Sequence, residues 1–249
     1  MGQFSVVGKD NYTSFDPRPS EHPDGYVIVL DKPYEWTSAD AVRKVKFSLQ
    51  RKYKLKNLKV GHAGTLDPLA TGVLAVCVGK ATKSAEFLQQ QPKSYIAEVT
   101  FGATTPSFDK EKEIDATYPY EHITKDMIQN AIDGFIGVQD QLPPIYSAKY
   151  IDGVRAYEKA RSGEDVELKT ARIEIYEMEL ISYEAPVLTI SVKCSKGTYI
   201  RAIARDLGIA LGSGAYLTAL QRSSSGSFSI GNALSMDQVS TLFRQNETF

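Results

Sequence analysis

The sequence predicts a mixed α+β domain whose central sheet is largely antiparallel and is flanked by helices and loops. Segments typical of strands outnumber amphipathic helices, and the two kinds do not alternate in the regular order of a parallel α/β fold. The segment Val187–Cys194 alternates apolar and polar residues, as a strand with one buried face does. The chain of 249 residues is long enough to bury one sizeable core.

The N-terminal residues do not form a clear element. Residues 1–25 are polar and rich in turn-forming residues, so we expect a flexible N-terminal extension or surface arm. Ordered structure is then expected to start at Tyr26, with a single domain over residues 26–249. The apolar run that begins at Tyr26 predicts a buried strand, and Val73–Val78, apolar on both faces, predicts a central strand.

Three helices are predicted from capping signals and apolar spacing. Thr37 to Asp40 has the pattern of a capping box, and the apolar residues that follow recur at helical spacing. Thr124 can cap a second helix that continues to Phe135 with one apolar face. A third helix is expected over about 198–211. The remaining candidate strands are Tyr95–Phe101, Ile173–Ser182 and Val187–Cys194.

Composition excludes several classes of protein. The chain is 42% hydrophobic and 24% charged, as ordinary globular proteins are, and no apolar run has the length of a membrane span. The N-terminus has no secretory signal pattern. Cys77 and Cys194 each lie in an apolar stretch, which indicates buried reduced thiols in a cytoplasmic protein. The three histidines have no Cys or His neighbour at ligand spacing, so we expect no metal site.

The charge distribution is uneven although the formal net charge is only −1. A neutral protein is an unusual nucleic-acid binder. A local run of basic residues can nevertheless neutralise several phosphates, although a solvated helix face is the alternative interpretation. No acidic residue interrupts this run, which consists of Arg43, Lys44, Lys46, Arg51, Lys52, Lys54, Lys56 and Lys59.

Two segments have the features of a catalytic site. The segment GHAGTLDPLATG holds three glycines, and Pro68 restricts Asp67 to an extended conformation on a tight loop before a buried strand. Such a loop on a rigid scaffold is a common place for catalytic groups, although Asp67 could simply cap a turn. The segment KGTYIR leads from a strand into a helix, where Arg201 and Arg205 share one face and could bind a carboxylate or phosphate.

These two segments resemble the signatures of the TruB family of tRNA pseudouridine synthases. Four further segments are similar to that family and occur in its order, so that the resemblance extends from about Gly25 to Phe228. The six segments are DKPYEWTS, GHAGTLDPLATGVL, KSYIAEVTFG, PPIYSAKYIDGVRAYEKAR, KGTYIRAIARDLG and GSGAYLTALQRSSSGSF. The resemblance implies the pseudouridine synthase fold, and it implies that the chain isomerises uridine to pseudouridine at position 55 in the T-loop of tRNA.

The resemblance also assigns the catalytic groups. Asp67 matches the essential catalytic carboxylate, and the reaction breaks the N1–C1′ bond of uridine and rejoins the base through C5. The carboxylate could attack C1′, add to C6 or remove the C2′ proton, and these alternatives stay open. Arg201 would pair with Asp67 and hold it ionised, and Asp109 could share that arginine. The resemblance implies no cofactor, because nothing is oxidised and no group leaves.

The resemblance assigns substrate contacts as well. Tyr95 would stack on the target base and is a candidate for removing the C5 proton. Tyr199 would be a second aromatic residue of the site, and Leu220 would line the pocket. His62 matches a residue that takes the place of the flipped uridine. Lys149 is a candidate RNA contact in a thumb-like insertion over about 143–170, whose Tyr146 and Arg155 are further candidates.

The chain departs from the family pattern in three places. Glu35 stands where the family usually has glycine, and the segment after Asp109 lacks a usual glycine. The chain ends about 27 residues after Arg222, so we expect a short form that lacks the C-terminal PUA-like domain. The expected partner is the T-arm of tRNA, with no membrane and no obligate protein partner, and the family expectation is a monomer.

Two other functions are less consistent with the sequence. An RNA-binding module without chemistry would not need Asp67, Tyr95 and Arg201 together. A nucleosidase or glycosidase usually needs two carboxylates that flank the scissile bond. Only Asp67 and Asp109 are candidates for such a pair, so this alternative ranks last.

Overall fold

The computed structural model describes residues 4–144, 150–151, 154–155 and 169–244. Its strands are β1 (Ser5–Val7), β2 (Tyr26–Lys32), β3 (Val60–His62), β4 (Ala70–Val78), β5 (Lys93–Phe101), β6 (Ala103–Thr104), β7 (Ala116–Thr117), β8 (Gly137–Gln141), β9 (Tyr150–Ile151), β10 (Val154–Arg155), β11 (Ala171–Glu184), β12 (Val187–Cys194), β13 (Ala215–Ser225) and β14 (Phe228–Ser229). Its α-helices are α1 (Ser38–Tyr53), α2 (Ala85–Gln90), α3 (Lys125–Phe135), α4 (Ile200–Ala210) and α5 (Met236–Arg244).

The chain divides into two compact units. The first contains Met1–Tyr95 and Gln221–Phe249, and the second contains Ile96–Leu220. Strand order in the first unit is β1-β2-β4-β13, with β3 beside β4, and strand order in the second is β13-β5-β12-β11-β8. The pair β1–β2 is parallel, whereas β2–β4, β3–β4, β11–β12 and β8–β11 are antiparallel. The predicted mixed, largely antiparallel sheet is therefore confirmed.

The N-terminal segment contributes to the first unit. β1 pairs in parallel with β2, with Ser5 opposite Tyr26, and Val7 is fully buried. The hydroxyl of Tyr26 donates a hydrogen bond to the carbonyl oxygen of Pro17 at 2.8 Å. The prediction that ordered structure starts at Tyr26 is therefore wrong, because the apolar residues around Val7 add an edge strand. The N-terminal segment and the residues up to Tyr95 belong to the same compact unit.

β2 and β4 are buried on both faces, as predicted for a central strand. One cluster packs Ile28, Leu30 and Leu74 against the apolar faces of α1 and α5. A second cluster, on the opposite face, contains Val29 and Cys77. The cysteines Cys77 and Cys194 are both free and buried, and burial raises the pKa of the Cys77 thiol to about 11.

Capping residues set the helix ends in both units. Thr37 and Asp40 form the predicted capping box at the start of α1. Thr124 accepts a hydrogen bond from the amide of Met127 and caps α3, also as predicted. α4 begins at Ile200 rather than at residue 198, because Tyr199 has an extended backbone at the N-cap. None of the helices in the described part of the chain is both long and apolar enough to cross a membrane.

Candidate active site

The loop with Asp67 connects two strands of the first unit. β3 ends at His62, β4 starts at Ala70, and Asp67 is half-buried between them. The amide of Ala70 donates a hydrogen bond to the carbonyl oxygen of Asp67 at 3.1 Å, which closes a tight turn. Gly72 has a φ of +101°, and a Cβ there would lie 2.3 Å from the carbonyl oxygen of Arg222. Only glycine fits that position, so the loop enters β4 in a fixed direction.

Ser38 anchors the residue that precedes Asp67. Its Oγ accepts a hydrogen bond from the amide of Leu66 at 2.8 Å and donates one to the carbonyl oxygen of Leu66 at 3.0 Å. Both residues are buried. Because Ser38 is the first residue of α1, the position of the loop is coupled directly to the position of that helix.

Lys32 supports the other side of the turn. Its side chain is completely buried, and Nζ donates hydrogen bonds to the carbonyl oxygens of Pro33 at 2.8 Å, Trp36 at 2.5 Å and Pro68 at 3.3 Å. Burial lowers the pKa of Lys32 to about 8, while the negative charge of Asp67 acts in the opposite direction. A lysine with this pKa is mostly protonated at neutral pH. It therefore supplies a positive charge to the loop that holds Asp67.

Arg222 is a second buried cation that holds the same loop. Its side chain is 1% exposed, and Nε donates a hydrogen bond to the carbonyl oxygen of Val73 at 2.7 Å. The two Nη atoms donate to the carbonyl oxygens of Gly64 at 3.1 Å and Thr65 at 3.4 Å. One guanidinium thus connects the start of β4 to the loop, and its fork geometry suits several acceptors at once.

His62 and Tyr95 are the other predicted residues of the first unit. His62 ends β3 and is half-buried, and burial, followed by the positive charge of Arg222, lowers its pKa. Its ring is therefore neutral at pH 7. Tyr95 is 8% exposed and lies on the buried face of β5, whose side chains alternate between buried and half-buried.

In the second unit the structure brings Arg201 and Asp109 together. The Nε of Arg201 lies 3.6 Å from Oδ2 of Asp109, and Nη1 donates a hydrogen bond to the carbonyl oxygen of Ser107 at 3.2 Å. Both charged side chains are more than nine-tenths buried. A buried ion pair of this kind holds a guanidinium in one orientation, because breaking the pair would leave a desolvated charge.

A turn without glycine positions Asp109. Phe108 adopts a left-handed conformation with a φ of 60°, and its carbonyl oxygen accepts a hydrogen bond from the amide of Leu217 at 2.9 Å. The hydroxyl of Thr105 donates to the carbonyl oxygen of Asp109 at 2.7 Å. The guanidinium of Arg205 lies 4.9 Å from the centre of the Phe108 ring, a cation–π contact.

Gln141 fixes the backbone of Tyr199. Its side-chain amide donates to the carbonyl oxygen of Tyr199 at 3.1 Å and accepts from the Tyr199 amide at 2.8 Å. Tyr199 is half-buried at the N-cap of α4, and Leu220 is half-buried on β13. Lys149 and Tyr146, and most of the insertion predicted over 143–170, lie outside the described residues. In the part of the chain that the structure describes, no group of three or more His, Cys, Asp or Glu residues could hold a metal ion.

Comparison with known proteins decides the family. Residues 50–200 match the family model described as TruB family pseudouridylate synthase (N terminal domain). The chain belongs to the TruB family. Among its relatives is the tRNA pseudouridine synthase B of Phocaeicola vulgatus, 53% identical over 224 residues, which are 90% of this chain and 95% of the relative. The protein of the same name from Syntrophotalea carbinolica is 43% identical over 86% of this chain and 68% of the relative.

Solved structures agree with this membership. A chain of the Cbf5–Nop10–Gar1 complex is 26% identical and superposes with a TM-score of 0.65, covering 95% of this chain and 62% of that one. A chain of an archaeal box H/ACA Nop10–Cbf5 complex is 25% identical and superposes with a TM-score of 0.64, covering 99% of this chain and 66% of that one. The predicted family, the pseudouridine synthase fold and the class of enzyme, an isomerase, are confirmed.

Glu35 stands where the TruB family usually has glycine, and its backbone has a conformation that favours glycine. Its φ is +64°, a left-handed conformation that glycine adopts at lower cost than other residues. Sequence reasoning missed the supporting roles of Lys32, Ser38, Gln141 and Arg222. All but Gln141 lie in segments quoted for the resemblance, but nothing in their spacing shows which carbonyl groups they meet.

Proposed function

We propose that this chain converts uridine 55 in the T-loop of tRNA to pseudouridine, with Asp67 as the catalytic carboxylate. Membership of the TruB family supports the reaction, and the hold on the Asp67 loop supports the residue. Three separate elements fix that loop through Ser38, Lys32 and Arg222. A carboxylate on a loop fixed in this way is preorganised for attack on a bound nucleotide.

The reaction leaves the composition of the nucleotide unchanged. The N1–C1′ bond breaks, the base turns, a C5–C1′ bond forms, the C5 proton leaves, and N1 gains a proton. Asp67 can begin this sequence by attack at C1′, by addition at C6 or by removal of the C2′ proton. Each of these steps needs the ionised carboxylate.

Arg201 is proposed to keep Asp67 ionised and oriented in the complex with RNA. A guanidinium has five N–H donors, so contacts to Ser107 and Asp109 are compatible with a further carboxylate. The burial of Arg201 supports this role, because a charge in a low-dielectric site acts strongly on its partner. A double-mutant cycle with Asp67→Asn and Arg201→Gln should show strongly non-additive losses of activity.

The proposed substrate contacts follow from the same assignment. Tyr95 stacks on the extruded base and removes the C5 proton, while His62 takes the place of the base in the T-loop. Tyr199 and Leu220 complete the pocket, and Lys149 contacts the RNA. The neutral state of His62 supports its role, because a neutral ring can stack between bases without a desolvated charge. We also propose that the enzyme acts in the cytoplasm as a monomer, without an obligate protein partner.

Tritium release from tRNA labelled at C5 of uridine tests the proposal, because each turnover frees one C5 hydrogen. Wild-type protein should release one equivalent from a transcript with uridine at position 55, and none when cytidine replaces it. Asp67→Asn should release at least about 10³-fold more slowly while still binding the transcript. Release from the cytidine-55 transcript, or an active Asp67→Asn protein, would contradict the proposal.

A further inference from the structure

The exposed side of α1 is strongly basic. Asp40 is followed by no acidic residue until Asp67, a stretch of 26 residues that includes nearly all of this helix. The buried residues of α1 are Ser38, Ala41, Val45 and Leu49. The basic residues that face solvent, here called the basic face, are Arg43, Lys44, Lys46, Arg51 and Lys54, together with Lys56 and Lys59 of the segment that leads to β3.

The cations of the basic face are almost all available to a partner. Within the described residues, Arg43 is the one member that forms an ion pair, with Asp40 one turn earlier on the helix. Lys54 holds a left-handed C-cap with a φ of 53°, and the side chain of Gln50 donates a hydrogen bond to the carbonyl oxygen of Lys56. These contacts give the turn after the helix a defined shape, so its lysines are presented at fixed backbone positions.

An aromatic ring lies in the middle of the basic face. Phe47 is 64% exposed. At helical spacing its neighbours are Arg43 and Lys44 on the preceding turn and Gln50 and Arg51 on the following turn. Single exposed apolar residues are common on protein surfaces. An exposed ring surrounded by cations is different, because this combination binds nucleic acid by stacking on bases while the cations neutralise phosphates.

Hydrogen bonds connect the helix that carries the basic face to the Asp67 loop within the first unit. Ser38 at the start of α1 makes two hydrogen bonds to Leu66, and β3 runs from Val60 directly towards the loop. A helix of 16 residues is about 24 Å long. RNA that lies along the basic face is therefore held at a fixed distance from Asp67.

We propose that the basic face binds the sugar-phosphate backbone of the substrate RNA outside the reacting nucleotide, with Phe47 stacked on an unpaired base. The proposal rests on the proposed function for its substrate. The positive charge of the basic face indicates a polyanionic partner, and the exposed ring of Phe47 indicates a polyanion with exposed bases. An anionic membrane is a poorer match, because membrane-surface helices insert a wide apolar face. The apolar face of α1 is already packed in the core, which leaves Phe47 alone.

Binding measurements over a range of salt concentrations test the phosphate contacts. The full-length Asp67→Asn protein serves as the parent, so that the transcript is not turned over. Lys44→Gln, Arg51→Gln and Lys54→Asn are combined, and the asparagine suits the left-handed position. The slope of log K against log salt should flatten by about 2 to 3, and affinity at 0.1 M salt should fall about 10- to 100-fold.

A matched variant controls for the loss of net charge. Lys9→Gln, Lys83→Gln and Lys125→Gln remove three exposed cations from other elements and should leave both slope and affinity close to those of the parent. Equal behaviour of the two triple variants would overturn the proposal. Loss of binding to anionic vesicles in the basic-face variant, with tRNA binding unchanged, would also overturn it in favour of a membrane surface.

Substitutions of Phe47 test the stacking contact. Phe47→Leu keeps an apolar side chain without a ring and should weaken binding about 10-fold with the salt slope unchanged. Phe47→Trp should bind at least as tightly as the parent. Equal affinity of the leucine and tryptophan variants would overturn the stacking. Tritium release by the wild-type protein is measured separately. If the wild-type protein binds RNA through the basic face but releases no tritium, only the proposed function is contradicted.

Discussion

The hydroxyl of Ser38 satisfies both backbone groups of Leu66, accepting from its amide at 2.8 Å and donating to its carbonyl oxygen at 3.0 Å. Leu66 precedes Asp67, so this one side chain connects the first turn of α1 to the loop that holds Asp67. The same helix presents the basic face to solvent. The fold therefore couples the surface proposed to bind RNA to the loop proposed to perform the chemistry.

Ser38→Ala should reduce both stability and activity. The change leaves two buried backbone groups of Leu66 without partners, which costs roughly 1–3 kcal/mol of unfolding free energy. Helix propensity is not the cause, because alanine is the better helix former. Thr37→Ala is the matched control, since it removes the capping box at a cost of about 1 kcal/mol but leaves Leu66 bonded.

Urea unfolding measures the stability of Ser38→Ala and Thr37→Ala, and tritium release measures their activity. We expect both variants to be less stable, but only Ser38→Ala to lose kcat by about 10-fold or more. Equal kcat values for the two variants would show that Ser38 stabilises the helix without positioning the loop.

Arg222→Lys should retain the buried charge but not the geometry. A lysine is a point charge that cannot reach the carbonyl oxygens of Val73, Gly64 and Thr65 together. We expect a loss of about 2–3 kcal/mol in unfolding free energy and a lower kcat. Arg172→Lys, at an exposed ion pair, is the control and should change stability by less than about 1 kcal/mol. A stable and fully active Arg222→Lys protein would exclude the proposed support of the loop.

Asp109→Asn should destabilise the second unit. The substitution keeps the shape of the side chain but removes the negative charge that lies 3.6 Å from the buried Arg201. We expect a loss of about 2 kcal/mol or more in unfolding free energy, because a buried charge loses its carboxylate partner. Asp140→Asn breaks an exposed pair with Arg172 and should cost about 0.5 kcal/mol or less. Similar losses for the two variants would mean that the buried pair contributes no more than a surface pair.

Lys32 predicts a specific dependence of stability on pH. Its pKa falls from 10.5 to about 8 in the folded protein, so the unfolded chain holds the proton more tightly. Below pH 8 both states are protonated and the penalty of burying the charge is fully present. Between about pH 8 and 10.5 the unfolded state binds more protons, so stability rises with pH through this window.

Urea unfolding at pH 7, 8.5 and 9.5 measures the dependence. The stability of wild type relative to Lys32→Met should rise over this range, because the variant has no group to titrate at that position. Lys80→Met, at an exposed site, should run parallel to wild type. A constant difference between wild type and Lys32→Met would contradict the lowered pKa.

Local sequence patterns predict those elements that are stabilised by interactions between residues close together in the chain. Thr37 and Thr124 cap helices through hydrogen bonds to residues three positions later. In β12, apolar and polar residues alternate because successive side chains point to opposite faces of the sheet. β13 is not predicted, since its sequence AYLTALQRSSS ends in a polar stretch and lacks a clean alternation of apolar and polar residues. Pairing with strands distant in sequence determines that element.

The same distinction between local signals and long-range contacts applies to the candidate site. The motif around Asp67 is visible in sequence because glycine and proline restrict the backbone locally. Lys32 donates to the carbonyl oxygen of Pro68, 36 positions away, and Arg222 donates to carbonyl oxygens 149 to 158 positions away. Such long-range contacts exist only once the chain is folded. The conformation of Phe108 is not predicted either, because the sequence has no turn signal there. A hydrogen bond to the distant Leu217 holds this residue in a left-handed conformation.

Mapping of pseudouridine in cellular RNA tests the central claim most directly. A strain without this protein is complemented with wild type or with Asp67→Asn, and every tRNA is read for pseudouridine. The proposal predicts that position 55 alone is lost from elongator tRNAs, and that wild type but not Asp67→Asn restores it. Loss at an anticodon-arm position with position 55 intact, or restoration by Asp67→Asn, would contradict it.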